Sequence, residues 1–151
     1  MLPRINFYEA APEGIEALAG LGRYTGNAGI EKPLLLLIKI RSSQINGCAY
    51  CIDMHTKDAR AAGETEQRIY LLNAWRETPF FSERERAALQ WTEALTLIAV
   101  DHAPDELFLR VRQYFSEPEL VNLSLAIGTI NAWNRLAIAF RSLPGSYQPA
   151  S

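Results

Sequence analysis

Apolar residues recur at helical spacing along nearly the whole chain. Pro12 suits the first turn of a helix, where its missing N–H has no partner to lose, and Ile15, Leu18, Ala19 and Gly22 then fall on one face. Gly26 and Gly29 bracket a loop. Pro33 opens LLLLIKIRSSQI, which is apolar on most sides and is expected to lie buried between other helices. Its leucines are not β-branched, which argues against a strand, and Asn46-Gly47 breaks the run. A third helix is expected from about Cys48 to Ala62, stopping at Gly63 because glycine tolerates positive φ. Thr65 can cap EQRIYLLNAWRE and direct Ile69, Leu72 and Trp75 inward. Ser82-Glu83-Arg84-Glu85 is a capping box, and the helix behind it should carry Ala88, Trp91, Leu95 and Ile98 to the core. Pro104 starts a short amphipathic helix, DELFLRVRQYF. Ser116-Glu117-Pro118-Glu119 is a second capping box, opening a long helix through about Arg141. The stretch SLPGSYQPAS, residues 142–151, is expected to fray. No segment alternates as a strand does, and no internal repeat is evident. The expectation is an all-α bundle of about seven helices, with short connections and antiparallel neighbours.

Composition narrows the class. A chain of 151 residues fits a single domain, here residues 1–151. At that size folding removes roughly 68–70% of the unfolded surface from water, so neither metal nor disulfide is needed to hold a core. Hydrophobic residues make up 48% and the formal charge is −2, which excludes a disordered polyelectrolyte and argues against nucleic acid or an anionic membrane as partner. The longest apolar run, Leu34 to Ile38, is far short of the ~20 residues that cross a bilayer. MLPRINFYEAAPEG lacks the apolar stretch of a signal peptide, and two cysteines are too few for a secreted scaffold. A cytoplasmic, reducing compartment is therefore expected.

The two cysteines carry the chemistry. Cys48-Ala49-Tyr50-Cys51-Ile52-Asp53-Met54-His55 reads C-x-x-C-x-x-x-H. At 100° per residue Cys51 would lie about 60° from Cys48 around a helix, and His55 about 20° from Cys48. A helix N-terminus lowers a thiol pKa, and only thiolate is nucleophilic. A histidine one turn along can take the proton, and the second thiol can condense with a sulfenic acid or close a disulfide. Zinc held by Cys48, Cys51 and His55 is an alternative, but no fourth ligand is evident, so no metal is assigned. Haem attachment needs histidine where Ile52 stands, and a thioredoxin fold needs strands. Two inert core cysteines beside a satisfied histidine are the bland alternative.

Other residues admit two readings each. Glu93 is in line with Leu89 and Leu97, so it is either partly buried and proton-active or part of a solvated face. Gln44 precedes Cys48 by one helical turn and either orients a site group or satisfies backbone at the Asn46-Gly47 break. Asn131, Asn134 and Arg135 interrupt an apolar helix, for packing hydrogen bonds or for catalysis. Trp75, Trp91 and Trp133 read as core or subunit-interface anchors, and His102 as an exposed loop residue.

SQINGCAYCIDMHTKDARAAGETEQRIYLLNAWRE, followed by LQWTEALTLI and LSLAIGTINAWNRLAIAFR, resembles the alkylhydroperoxidase AhpD-like branch of the carboxymuconolactone decarboxylase family. The resemblance implies an all-α AhpD-like fold assembling into homo-oligomers, often trimers or hexamers. It also implies that Cys51 forms the sulfenic acid, that Cys48 is proton donor and resolving thiol, and that His55 belongs to the proton relay. Two positions depart from the branch: Leu36 stands where it carries a relay glutamate, and Tyr50 where it carries a histidine between the cysteines. Gln44 and Glu93 are the candidate replacements for the relay carboxylate. The expected activity is that of a thiol-dependent peroxidase or disulfide reductase, taking a small hydroperoxide and an external dithiol. No nucleotide-binding glycine motif is present and no cofactor is expected. The alternatives are a redox sensor or stress-associated protein whose disulfide alters assembly, and decarboxylase-like chemistry on a small cyclic acid. The decarboxylase members of the family generally lack the cysteine pair.

Overall fold

The computed structural model describes residues 2–149. Local signals set most helix starts. Asn6 accepts the Tyr8 N–H and opens α1 (Phe7–Ala10), and Pro12 occupies the first turn of α2 (Pro12–Gly26). Pro33 does the same for α3 (Lys32–Asn46), and α4 (Ala49–Ala61) follows after one tight turn. Thr65 caps α5 (Glu66–Leu71), which tightens into a 3₁₀ segment over Leu72–Glu77. Both capping boxes form, at Ser82 for α6 (Glu83–Thr96) and at Ser116 for the long helix α9 (Glu117–Phe140). Between them lie α7 (Ile98–Asp101) and α8 (Asp105–Arg112). The described residues thus hold nine α-helices and no strand, against an expectation of about seven. The surplus comes from two four-residue helices, α1 and α7, which are too short to show a period in sequence.

Helix α3 is the axis of the fold, packed on α4, α6 and α9. Its leucines and isoleucines divide between two clusters. Leu34, Leu35 and Ile38, with Ile30 just ahead of the helix, meet Ala88 and Trp91 of α6 and Leu123 and Ile127 of α9. Leu36, Leu37 and Ile40 meet Ala59 of α4 with Ile69, Leu72, Trp75 and Leu89. Burying one such side chain contributes roughly 1.5–3 kcal/mol, so a helix apolar on most sides is stable only at the centre of the bundle. Leu36, at the position of the relay glutamate in the AhpD-like branch, is 6% exposed within this second cluster.

The α3–α4 turn positions the site. Gly47 adopts φ 69°, a left-handed conformation that glycine takes without penalty, and the Cys48 N–H donates to Ser43 O at 3.0 Å. Beneath the turn, Asn46 Nδ2 donates to Asn131 Oδ1 (2.9 Å) and to Asn134 Oδ1 (2.8 Å). Asn134 Nδ2 donates to Ser43 Oγ (3.0 Å), and Asn131 Nδ2 to Thr96 Oγ1 (3.1 Å). Of the two readings for these asparagines, hydrogen bonding that ties α9 to the end of α3 is the one observed.

Three expectations change. Helix α6 stops at Thr96, and Leu97 is non-helical (φ −104°, ψ 37°). This break turns Ile98 outward, 47% exposed, where the helical period placed it in the core. EQRIYLLNAWRE is not one α-helix, because a non-helical Ala74 (φ −115°, ψ 26°) lies inside the 3₁₀ segment. Residues 142–149 form no helix yet do not hang free. The Gly145 N–H donates to Asp53 Oδ2 (2.9 Å), Lys57 Nζ to Tyr147 O (3.1 Å), and Tyr147 Oη to Asp58 Oδ1 (2.6 Å). The tail is strapped along α4 by side chains on that helix. The last two residues of the expected tail, Ala150 and Ser151, lie outside the described residues.

Candidate active site

Cys48 is the N-cap of α4, with extended backbone (φ −82°, ψ 94°), and its sulfur accepts the Cys51 N–H at 3.3 Å. A sulfur thus fills the place usually taken by a serine or aspartate oxygen, at the positive end of a thirteen-residue helix. Cys48 and Cys51 are joined as a disulfide with their Cα atoms 5.4 Å apart. Helical angular arithmetic holds for Cys51 and His55, both inside α4, but not for Cys48. Cys48 reaches Cys51 through its capping geometry instead.

The two sulfurs are not equivalent. Cys48 is 1% exposed and Cys51 4% exposed, but Cys51 lines a cavity of about 260 Å³ and Cys48 does not. Helix α4 contributes Tyr50, Cys51, Met54 and His55 to the wall. Lys39 enters from α3, Thr25 from α2, Phe7 and Tyr8 from α1, and Ile130, Trp133 and Ala137 from α9. The Phe7 and Tyr8 rings sit against Trp133, with centroids 6.4 Å and 6.3 Å from it. Trp133, expected as a core or interface anchor, is a cavity wall. Trp75 and Trp91 are buried in the core clusters.

Burial pushes the His55 imidazole below its ordinary value; the Asp58 carboxylate opposes this in part, and the Lys39 ammonium adds to it. His55 is therefore neutral at pH 7 and available as a base. Its Nδ1 lies 3.4 Å from Asp58 Oδ2, an electrostatic contact, and makes no well-formed hydrogen bond among the described residues. Burial acts to raise the Asp58 carboxyl, but the His55 and Tyr147 contacts outweigh it and keep the group ionised. Tyr147 is pushed up to about 12 by the hydrogen bond it gives to Asp58. Lys39 is pushed down, mainly by burial.

Gln44 and Glu93 are brought together, but elsewhere. Arg41 links them, giving Nη1 to Gln44 Oε1 (3.2 Å) and Nε to Glu93 Oε1 (2.8 Å). Glu93 also accepts Trp75 Nε1 (2.9 Å) and Arg76 Nη1 (2.6 Å). Burial alone would raise the Glu93 carboxyl; these three donors outweigh it and hold Glu93 ionised. Glu93 is thus part of a partly buried ion cluster and not a solvated face, and neither it nor Gln44 lines the cavity. His102 is exposed at the end of α7, as expected.

Residue spacing alone missed Lys39, Asp58, Tyr147 and the aromatic wall. Lys39 carried a usable signal, as the one charge between Lys32 and Arg41 in an apolar helix. Asp58, one turn after His55, carried another. Tyr147 and Phe7 approach from the ends of the chain, so nothing local marks them.

The model of the carboxymuconolactone decarboxylase family matches residues 9–94. The chain is similar to the uncharacterized protein YdfG of Bacillus subtilis, with 52% identity over 139 residues, covering 92% of this chain and 95% of that one. A shorter match, 43% identical over 44 residues, is to the alkyl hydroperoxide reductase AhpD of Bradyrhizobium diazoefficiens; it covers 29% of this chain and 24% of that protein. Among solved structures, a protein of unknown function from Agrobacterium tumefaciens, suggested to be an antioxidant defence protein AhpD, superposes with a TM-score of 0.93 at 46% identity. The superposition covers 97% of this chain and 100% of that one.

Proposed function

The chain belongs to the carboxymuconolactone decarboxylase family with an AhpD-like fold, and from that premise we propose that it is a thiol-dependent peroxidase with disulfide-reductase character. The observation that carries this reading is the asymmetry of the cysteine pair: Cys51 meets the cavity beside a neutral imidazole, while Cys48 caps the helix behind it.

In the reduced protein, His55 takes the Cys51 proton, directly or through one water, and the thiolate attacks the terminal oxygen of a hydroperoxide. The O–O bond breaks, the alcohol leaves with a proton, and Cys51 becomes a sulfenic acid. The Cys48 thiolate then attacks the Cys51 sulfur, water leaves, and the disulfide closes. A dithiol donor restores the pair by attacking Cys51, the sulfur that faces the cavity. The bond to Cys48 breaks, and the departing Cys48 thiolate is stabilised by the Cys51 N–H and the helix N-terminus. A better leaving thiolate speeds that exchange, so the capping geometry favours turnover. Each cycle consumes one hydroperoxide and one dithiol, releasing one alcohol, one water and one external disulfide.

The same proposal includes a homo-oligomer, a trimer or hexamer as the AhpD-like resemblance implies, and a reducing, cytoplasmic setting that supplies dithiol. Supporting assembly, Leu97, Ile98 and Val100 around α7, Leu109 on α8, and Val121 and Leu125 on α9 are exposed apolar side chains. No helix among the described residues is long and apolar enough to cross a membrane.

The test is consumption of cumene hydroperoxide with dithiothreitol as donor, in the wild type and in Cys51→Ser, Cys48→Ser and His55→Ala. The proposal expects no turnover without Cys51, at most a slow residual rate without Cys48, and about a hundredfold loss or more without His55. Turnover that persists in Cys51→Ser would remove it.

A further inference from the structure

Among the described residues, Lys39 is the one lysine or arginine on the cavity wall, and no carboxylate lines it. His55, the other titratable nitrogen there, is neutral at pH 7. None of the hydrogen bonds or ion pairs among the described residues includes the Lys39 ammonium. The acidic group whose field it feels most is Asp58, whose Oδ1 already accepts Tyr147 Oη at 2.6 Å. Asp58 lies off the cavity wall. The groups facing the ammonium therefore leave it half-buried with no paired counter-charge, an arrangement that costs free energy unless an anion completes it.

Most of the rest of the wall is apolar, with Phe7, Met54, Ile130, Trp133 and Ala137, beside the hydroxyl-bearing Tyr8, Tyr50, Thr25 and Thr129. A cavity of roughly 150 Å³ suffices for benzene. About 260 Å³ thus takes a single ring, or a branched alkyl group of that size, together with a short polar head. Lys39, His55 and Cys51 share this one cavity, and the Lys39 charge is felt at His55, which puts cation, imidazole and sulfur in one neighbourhood.

We propose that the cavity selects a small molecule with an apolar, ring-sized body and one carboxylate-type anionic head, and that Lys39 is the residue that holds the head. This rests on the peroxidase reading only in naming the reacting substrate, which becomes a hydroperoxide bearing an acid group close to the peroxide. The carboxylate is a spectator: it neither gains nor loses electrons, and oxygen transfer to Cys51 proceeds as written above. Lys39 acts by binding and specificity, lowering KM for acidic hydroperoxides relative to uncharged ones.

Binding can be read on the oxidised protein as it stands, without turnover. The probes are 3-phenylpropionate, 3-phenylpropanol and 3-phenylpropylamine, followed by calorimetry and by tryptophan fluorescence, since Trp133 lines the cavity. The proposal expects the carboxylate to bind at least tenfold tighter than the alcohol, and the amine more weakly than either. The preference should shrink as salt is raised. Lys39→Met should erase the difference between carboxylate and alcohol while leaving alcohol binding in place, and Lys39→Arg should retain most of it. Equal affinities for carboxylate and alcohol in the wild type, a preference that survives Lys39→Met, or no binding of any probe would each overturn it. Failure of the peroxidase reading is distinguishable, because it appears as absent turnover of uncharged cumene hydroperoxide while Lys39-dependent binding persists.

Discussion

Replacing Asn134 with alanine tests whether the polar network under the α3–α4 turn holds the redox site in place. Asn134 is 0% exposed, and its amide joins α9 to α3 through Ser43 Oγ (3.0 Å) and Asn46 Nδ2 (2.8 Å). Each neutral hydrogen bond contributes about 1 kcal/mol net, and a buried group left without a partner costs about 1–3 kcal/mol. The two losses are unequal. Asn46 keeps its bond to Asn131 (2.9 Å) but strands one N–H, whereas Ser43 Oγ still donates to Lys39 O (2.7 Å) and loses only an acceptor role. The expected destabilisation is about 2–4 kcal/mol. At about 2–4 °C per kcal/mol for a chain of this size, Tm should fall by about 10 °C. Urea unfolding of the oxidised protein, followed by circular dichroism and tryptophan fluorescence, measures it directly. Coincident transitions and an unchanged m-value would license the two-state reading. Because Cys48 N–H is anchored on Ser43 O (3.0 Å), the variant's disulfide should also be reduced at an altered rate by dithiothreitol. A loss below about 1 kcal/mol with unaltered reduction would refute the reasoning, since that is less than the net worth of one of the two hydrogen bonds removed.

Three further outcomes follow from the same geometry. Tyr147→Phe removes the hydrogen bond to Asp58; in a spectrophotometric titration the tyrosine that ionises near pH 12 should disappear, and the Gly145 amide, which donates to Asp53 Oδ2, should exchange faster. His55 has its folded-state pKa below the unfolded value of about 6.5, so its contribution to stability is complete above that pH and is lost as pH falls through the folded value. Denaturant midpoints between pH 7 and pH 5 should therefore drop more steeply for wild type than for His55→Asn. Glu93→Gln strands Arg41 within a partly buried ion cluster and should cost about 1–3 kcal/mol in urea unfolding. Its peroxide turnover, normalised to folded protein, should stay within a few-fold of wild type, because the cluster does not line the cavity.

The helices with strong local instructions were legible in sequence. Ser82 and Ser116 form the capping boxes, Pro12 and Pro33 start their helices, and Gly47 turns the chain in the left-handed region. The cysteine motif and its helix were legible for the same reason, since Cys48, Cys51 and His55 are close in the chain. Tertiary packing decided the rest. Nothing in TLIAVD states that Leu97 will leave the helix and carry Ile98 outward, because side-chain periodicity does not register a backbone break. Tail composition suggested fraying, but docking depended on Asp53, Lys57 and Asp58 presenting partners some ninety residues upstream. Glu93 and Gln44 looked like relay candidates because sequence spacing does not reveal Arg41 and Arg76 gathering around the carboxylate. The cavity was the least legible feature, since its wall draws on five helices.

Trapping the oxidised sulfur tests the central claim most directly. Reduced Cys48→Ser and Cys51→Ser proteins, each exposed to one equivalent of cumene hydroperoxide with dimedone present, should differ completely by mass spectrometry. The account predicts a dimedone adduct on Cys51 in the Cys48→Ser protein and none on Cys48 in the Cys51→Ser protein. Equal labelling of both cysteines, or labelling of Cys48 alone, would contradict it.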